Sequence, residues 1–120
     1  ERDKDYAILT NEMTKAWSGL SVQEYKELKG LKKENLRDNM TNIELVLNML
    51  AEVTTTTLSR QEQPEGFDES KNVAIRGGKV ANTAREEYEK TTGVKVVSPL
   101  NASDKPALEI KTETDKNEKQ

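Results

Sequence analysis

The sequence predicts an all-α fold: a small irregular domain of four to five helices over residues 1–100, followed by a polar tail over residues 101–120. Apolar residues recur at three- and four-residue intervals, capping boxes of the form Ser/Thr-x-x-Glu precede two of these runs, and glycine or proline follows them. Only 32% of the 120 residues are hydrophobic, while 34% are charged. We therefore expect a thin core built from aliphatic side chains.

The first two predicted helices cover residues 3–18 and about 22–28. The apolar residues of the first helix form one stripe, which consists of Tyr6, Leu9, Met13, Ala16 and Trp17. Ser21 and Glu24 form a capping box that starts the second helix, and Gly30 ends it.

Residues 42–63 carry the strongest helical pattern in the chain. Leu31, Leu36 and Met40 precede it and predict a short turn, or a helix of one to two turns, seated on the core. Thr41 and Glu44 form a second capping box. The stripe that follows should face the core and consists of Ile43, Val46, Leu47, Leu50, Val53 and Leu58, widened by Leu45 and Met49.

A fourth helix is predicted from Val73 to about Thr92, with Gly93 as its C-cap. Gly77 and Gly78 should either kink it or admit a second backbone. From residue 101 onward, charges of both signs alternate with almost no apolar content. We expect that tail to be disordered, or to be a lone exposed helix.

The absence of cysteine and histidine excludes several chemistries. It removes thiolate and imidazole zinc sites, and nucleophiles that depend on a histidine base. We expect no catalytic residue, metal or cofactor, and no enzymatic activity. No stretch is apolar enough to cross a membrane, and no signal peptide is visible, so we expect a cytoplasmic protein. Because the sequence opens with Glu1, we also expect it to be part of a longer protein.

Positive charge is concentrated in two segments of a chain whose net charge is -3. Residues 26–37 hold five basic and two acidic groups, and residues 71–85 hold four basic groups and no acid. If both segments face one way, they could neutralise the phosphates of a nucleic acid. The candidate contacts are Lys29, Lys32, Lys33, Arg37, Arg76, Lys79 and Arg85. The alternative is that these residues are only the solvated faces of amphipathic helices.

One motif stands out: Gly30-Leu31-Lys32-Lys33 with Asp38, Met40, Glu44 and Leu45, flanked by "AWSGLSVQEYKELKG" and "RGGKVANTAREEYEKTTG". Through these residues the sequence resembles the C-terminal half of the bacterial DNA-damage-inducible protein D family, whose members are also described as BRO-type or prophage antirepressor proteins. The similarity runs from about Tyr6 to Asn101. This resemblance implies a regulator in the SOS DNA-damage response and in prophage control, with DNA or a recombinase–DNA filament as partner. The N-terminal domain of that family, thought to contact DNA, has no counterpart in this sequence.

Three hypotheses follow. The first is a helical domain that contacts DNA or a nucleoprotein filament through residues 26–37 and 71–85. The second is a protein-interaction or homodimerisation module without DNA contact, since the apolar stripe of residues 43–58 is wide for a thin domain. The third, a carboxylate- and metal-dependent nuclease, has no support in the spacing of Asp and Glu.

Overall fold

A computed structural model describes residues 2–101, with side chains from Asp5 onward. These residues form four α-helices and one 3-10 turn: α1 (Arg2–Ser18), α2 (Val22–Leu28), the turn Arg37–Asn39, α3 (Asn42–Glu62) and α4 (Phe67–Thr92). No strand occurs in this part of the chain, so the all-α prediction is confirmed. None of the described helices has the length and apolar character needed to cross a membrane. The tail prediction concerns residues 102–120, which lie outside the described residues.

The fold is organised around α4, which packs against both other long helices. A Cβ at Gly77 would lie 2.0 Å from Thr55 Oγ1 of α3, and one at Gly78 would lie 2.5 Å from the Met13 carbonyl oxygen of α1. Only glycine allows the α4 backbone to approach both neighbours this closely. The prediction that this glycine pair admits a second backbone is therefore confirmed.

The three long helices differ in direction. Residues 63–66 join α3 to α4 as a short antiparallel hairpin. Along α4, Gly78 lies against Met13, while Arg85 donates a hydrogen bond to the Trp17 carbonyl at 2.9 Å. Residues further along α4 thus contact residues further along α1, so these two helices run parallel.

Helix ends follow the sequence closely, with one exception. Both capping boxes form, and Gly93 ends α4 with a φ of 74°. The fourth helix begins at Phe67, however, six residues before the predicted start at Val73. Asp68 and Glu69 lie in its first turn, where carboxylates are stabilised by the helix dipole.

The core lies where α2 meets the three long helices. Trp17 and Tyr25 are fully buried, with ring centroids 6.1 Å apart. The indole N–H of Trp17 donates to Asn48 Oδ1 at 3.2 Å, so the core contains a satisfied polar group. The predicted short turn is confirmed, since Leu31, Leu36 and Met40 are all buried. This arrangement makes α2 a cap over one end of the helical layer.

The apolar stripes predicted for α1 and α3 are only partly buried. In α3 the residues that face the core are Glu44, Leu47, Asn48 and Ala51. Val46, Met49 and Val53 face outward instead. Apolar residues occupy more than half of the circumference of α3, so they cannot all face one core. In α1, Tyr6 is 74% exposed, at the mouth of a cleft of about 520 Å³ between α1 and α3.

Candidate functional surfaces

A fully buried ion pair joins α2 to α3. Lys29 Nζ lies 2.7 Å from Glu44 Oε1, and neither side chain has exposed surface. Four other groups donate to the same carboxylate: the Tyr25 hydroxyl at 2.6 Å, the Thr41 N–H at 2.8 Å, the Thr41 hydroxyl at 3.1 Å and the Ser98 N–H at 3.1 Å. Burying a charge without partners costs several kcal/mol. The complete set of donors is what allows this pair to be buried.

The chain beyond α4 closes this cluster. Lys29 Nζ donates to the carbonyl of Ser98 at 2.8 Å and to the carbonyl of Leu100. Val96 is buried, and its N–H donates to Glu89 at 3.0 Å. Residues 94–100, which we call the C-terminal strap, thus tie the end of α4 to α2 and α3. The composition of this segment is typical of a β-strand. The segment is nevertheless irregular, because the described residues contain no strand with which it could pair.

The cluster corrects the prediction for Lys29, which was a candidate phosphate contact. Its ammonium is enclosed by Glu44 and the strap carbonyls and also lies 5.7 Å from the centre of the Tyr25 ring. Burial, and then the hydrogen bond to Glu44, raise the pKa of Tyr25 far above its ordinary value. Tyr25 therefore remains a neutral donor. Every charge here has a partner and is buried, so the cluster offers no phosphate contact.

The three candidate arginines are bound to carboxylates. Arg37 Nη1 lies 2.6 Å from Glu52 of α3, and Arg76 makes two hydrogen bonds to Glu62 at 2.5 and 2.9 Å. The hydrogen bond from Arg76 lowers the pKa of Glu62. Arg85 contacts Glu89 at 3.2 Å and caps the end of α1 through the Trp17 carbonyl. A phosphate would have to compete with these carboxylates.

The second basic segment does not form one surface. Arg76 and Arg85 are nine residues apart on α4, which places them about 180° apart around the helix. Their contacts agree with this geometry, since Arg76 reaches α3 and Arg85 reaches α1. Gly77 faces α3 and Gly78 faces α1, so Lys79 points away from both. Arg76 and Lys79 therefore lie only about 60° apart around α4, whereas Arg85 leaves on the side of α1.

The exposed basic residues of the first segment lie on a different side of the domain from Lys79. Arg37 binds Glu52, which lines the cleft between α1 and α3. Lys79 projects from the far side of α4. Lys32 and Lys33 are exposed in the loop between α2 and the 3-10 turn, where the Lys32 N–H donates to Glu34 at 2.7 Å and lowers the pKa of that carboxyl. The structure thus groups Lys32, Lys33 and Arg37 at one end and separates them from Lys79.

A different surface stands out on the outer side of α3. Val46, Met49 and Val53 are 57%, 44% and 61% exposed, and follow one another at helical spacing. Val80 of α4 is 46% exposed as well, but α4 contacts α3 at Ala51 and Thr55, which lie about 160° around the helix from this row. We call Val46, Met49 and Val53 the α3 outer face.

The α3 outer face is free of charge over an unusual length. From residue 42 to residue 59 α3 contains two charged residues: Glu44, which is buried, and Glu52, which binds Arg37. Those 18 residues extend over about 26 Å of helix. In a chain that is 34% charged, an exposed apolar row without charge is the pattern of a contact surface.

Sequence reasoning identified this helix but assigned its outward residues to the core. It missed the buried ion pair because Glu44 also fits a capping box and Lys29 belongs to a basic run. The 180° separation of Arg76 and Arg85 was readable from helical periodicity alone. In the described residues 2–101 no group of acidic side chains is arranged to hold a metal ion.

Comparison with known proteins gave no match, whether to a family model, a curated protein or a solved structure. The resemblance to the DNA-damage-inducible protein D family therefore stays a prediction.

Proposed function

We propose that this chain is a non-enzymatic module that works by binding protein through the α3 outer face. The observation that carries the proposal is the exposed, uncharged row of Val46, Met49 and Val53 on the outer side of α3. Solvent-exposed apolar side chains gain about 25 cal/mol per Å² when a partner covers them. The three side chains together present roughly two to three hundred Å², close to the lower end of the largest apolar patches on monomeric proteins, which are often functional.

The proposal predicts that one charge placed in this face abolishes protein binding while the fold is retained. Val53→Glu is the test variant, and Val94→Glu is its matched control because Val94 is 52% exposed in the C-terminal strap. Proteins retained by the immobilised chain from a bacterial extract would be identified, purified and titrated against both variants. We expect Val53→Glu to lose binding and Val94→Glu to keep it. Equal binding by both variants, for every purified partner, would overturn the proposal.

The second candidate function is contact with DNA or a recombinase–DNA filament, as the resemblance implies. It is favoured by one observation: Lys32 and Lys33 are exposed in the same loop, close to Arg37. The buried Lys29 and the dispersed Arg76, Lys79 and Arg85 leave this contact small. Two or three phosphate contacts give a salt dependence with a slope of only about -2 to -3 in log affinity against log salt.

Binding of duplex and single-stranded DNA at several salt concentrations tests this second candidate. Reversing Lys32 and Lys33 to Glu should reduce affinity at low salt, whereas reversal of Lys95, which is 86% exposed elsewhere, should not. If neither form of DNA binds at low salt, or if both reversals act equally, the nucleic-acid contact is refuted.

A further inference from the structure

The C-terminal strap occupies a site that binds its main chain. Glu44 accepts the Ser98 N–H at 3.1 Å, and Lys29 Nζ donates to the Ser98 carbonyl at 2.8 Å and to the carbonyl of Leu100. One buried ion pair thus binds both backbone polar groups of Ser98. The side chain of Val96, which is 1% exposed, is the one that the strap buries fully. An apolar anchor combined with backbone hydrogen bonds is the way in which many proteins bind a peptide.

The site does not depend on the strap for its construction. Without the strap, Glu44 would keep its ion pair with Lys29 and its hydrogen bonds from Tyr25 and Thr41. These residues belong to α2 and its C-cap, and to the N-terminus of α3. Because both charges would stay paired, opening of the strap would not leave an isolated buried charge. The open site would present a carboxylate and an ammonium to the backbone of another segment.

The strap is joined to α4 by an exposed hinge. Residues 91–95 are all exposed, and Gly93 ends α4 with a φ of 74°. Opening at this hinge would expose Val96, part of Val97 and the backbone hydrogen bonds of the strap, whereas global unfolding exposes the whole core. Segments with few buried apolar contacts open at a lower free energy than the whole fold. The strap should therefore leave its site while the four helices stay folded.

We propose that the Lys29–Glu44 pair and the place of Val96 form a peptide-binding site, which the strap fills in the single chain and which a segment of another protein takes when the strap opens. The segment that fits has the chemistry of the strap. It carries a valine-sized apolar residue and, two positions later, a residue whose N–H and C=O are both available. This site is separate from the α3 outer face, so the inference goes beyond the proposed function and does not depend on it.

The short hinge indicates which kind of partner can displace the strap. Linkage through a few residues gives the strap an effective concentration in the millimolar range. A second copy of the chain offers the identical strap without this advantage, so it cannot compete at micromolar concentration. A segment of a different protein can compete, because it can add contacts outside those that the strap makes.

Hydrogen exchange of the wild-type chain, followed for each amide by NMR, tests whether the strap opens by itself. The amides of Val96 and Ser98 are both bound to carboxylates and report on the strap. The amides of Ala51 and Ala81, buried in α3 and α4, report on global unfolding. We expect protection of the strap amides to be at least about tenfold lower, and less sensitive to urea, because opening exposes less surface. Equal protection with equal urea sensitivity would overturn the inference.

A peptide with the sequence of residues 94–101 tests binding in the same experiment. At about 10 mM it should compete with the strap, so exchange of the Val96 and Ser98 amides of the chain should accelerate at least about threefold and approach saturation. The amides of Ala51 and Ala81 should not accelerate. The control is the same peptide with Val96→Asp, which places a charge where the anchor is buried and should have no effect.

Three results of the peptide experiment would overturn the inference. Absence of any acceleration would mean that the site does not bind a separate segment. Equal acceleration by both peptides would show that the anchor is not recognised. Protection of the strap amides that rises with the concentration of the chain itself would assign the site to a second copy in place of another protein.

Discussion

Breaking the buried ion pair by removing one partner should be among the most destabilising single changes in this chain. Lys29→Met removes the ammonium that contacts Glu44 at 2.7 Å and leaves the carboxylate without its counter-charge in a site without exposed surface. The carbonyls of Ser98 and Leu100 lose their donor as well. The expected cost is about 3–5 kcal/mol, against a total stability of about 5–15 kcal/mol for a domain of this size.

Urea unfolding of the full chain measures this cost. Trp17 is the only tryptophan and lies in the core near Tyr25, so its fluorescence reports on the relevant region. Circular dichroism provides an independent signal. Arg37→Gln is the control, since it breaks an ion pair whose side chains are 45% and 41% exposed, and such pairs contribute at most about 1 kcal/mol.

The double variant Lys29→Met with Glu44→Gln separates the ion pair from general packing loss. Neutralising both partners removes the uncompensated charge, so the double variant should cost at least about 2 kcal/mol less than the sum of the single variants. Additive costs, or a loss below about 1 kcal/mol for Lys29→Met, would refute the view that this pair must be kept or removed as a unit.

Three other predictions concern the contact between α3 and α4 and the contacts of the C-terminal strap. Gly77→Ala should lower the melting temperature, because the new Cβ would collide with Thr55 and overpacking costs about 1–3 kcal/mol. Its control is Thr83→Ala at an exposed residue of α4, which should leave the melting temperature unchanged or raise it. Ser98→Pro should destabilise by about 1–3 kcal/mol because it removes an N–H that binds the buried carboxylate, and Ser98→Ala, which keeps that N–H, should cost less in the same urea titration. The Val96 N–H, and then Arg85, lower the pKa of Glu89 below its ordinary value of 4.5. The stabilisation that results is complete above pH 4.5 and is lost as the pH falls toward the lowered pKa. Between about pH 7 and pH 3 the melting temperature should therefore fall less steeply for Glu89→Gln than for the wild type. A steeper fall would contradict that reasoning.

Local signals were sufficient to predict the helices. Ser21 with Glu24, and Thr41 with Glu44, form the capping boxes that the sequence indicated. Capping depends on neighbours in sequence, so it is readable without tertiary contacts. The threonine run of residues 54–57 is helical as predicted, because packing of α3 outweighs the weak helix propensity of threonine.

The surfaces could not be predicted in the same way. Which apolar side of α3 is buried depends on where α1 and α4 pack, and that is a tertiary property. Periodicity could not distinguish Val46 and Val53, which face outward, from Leu47, which faces the core. The burial of Lys29 was equally hidden, since its partners include Ser98, which lies 69 positions further along the chain.

The central claim is that the working surface of this chain is the uncharged outer face of α3, used through apolar contact. Sedimentation equilibrium of the wild type and of Val53→Glu, each alone and with purified protein partners, at low and high salt, tests it most directly. We expect the wild type to associate, with itself or with a partner, equally well at high salt, and Val53→Glu to lose that association. A wild type that associates with neither, or one whose association disappears in salt and is unaffected by Val53→Glu, would contradict the account.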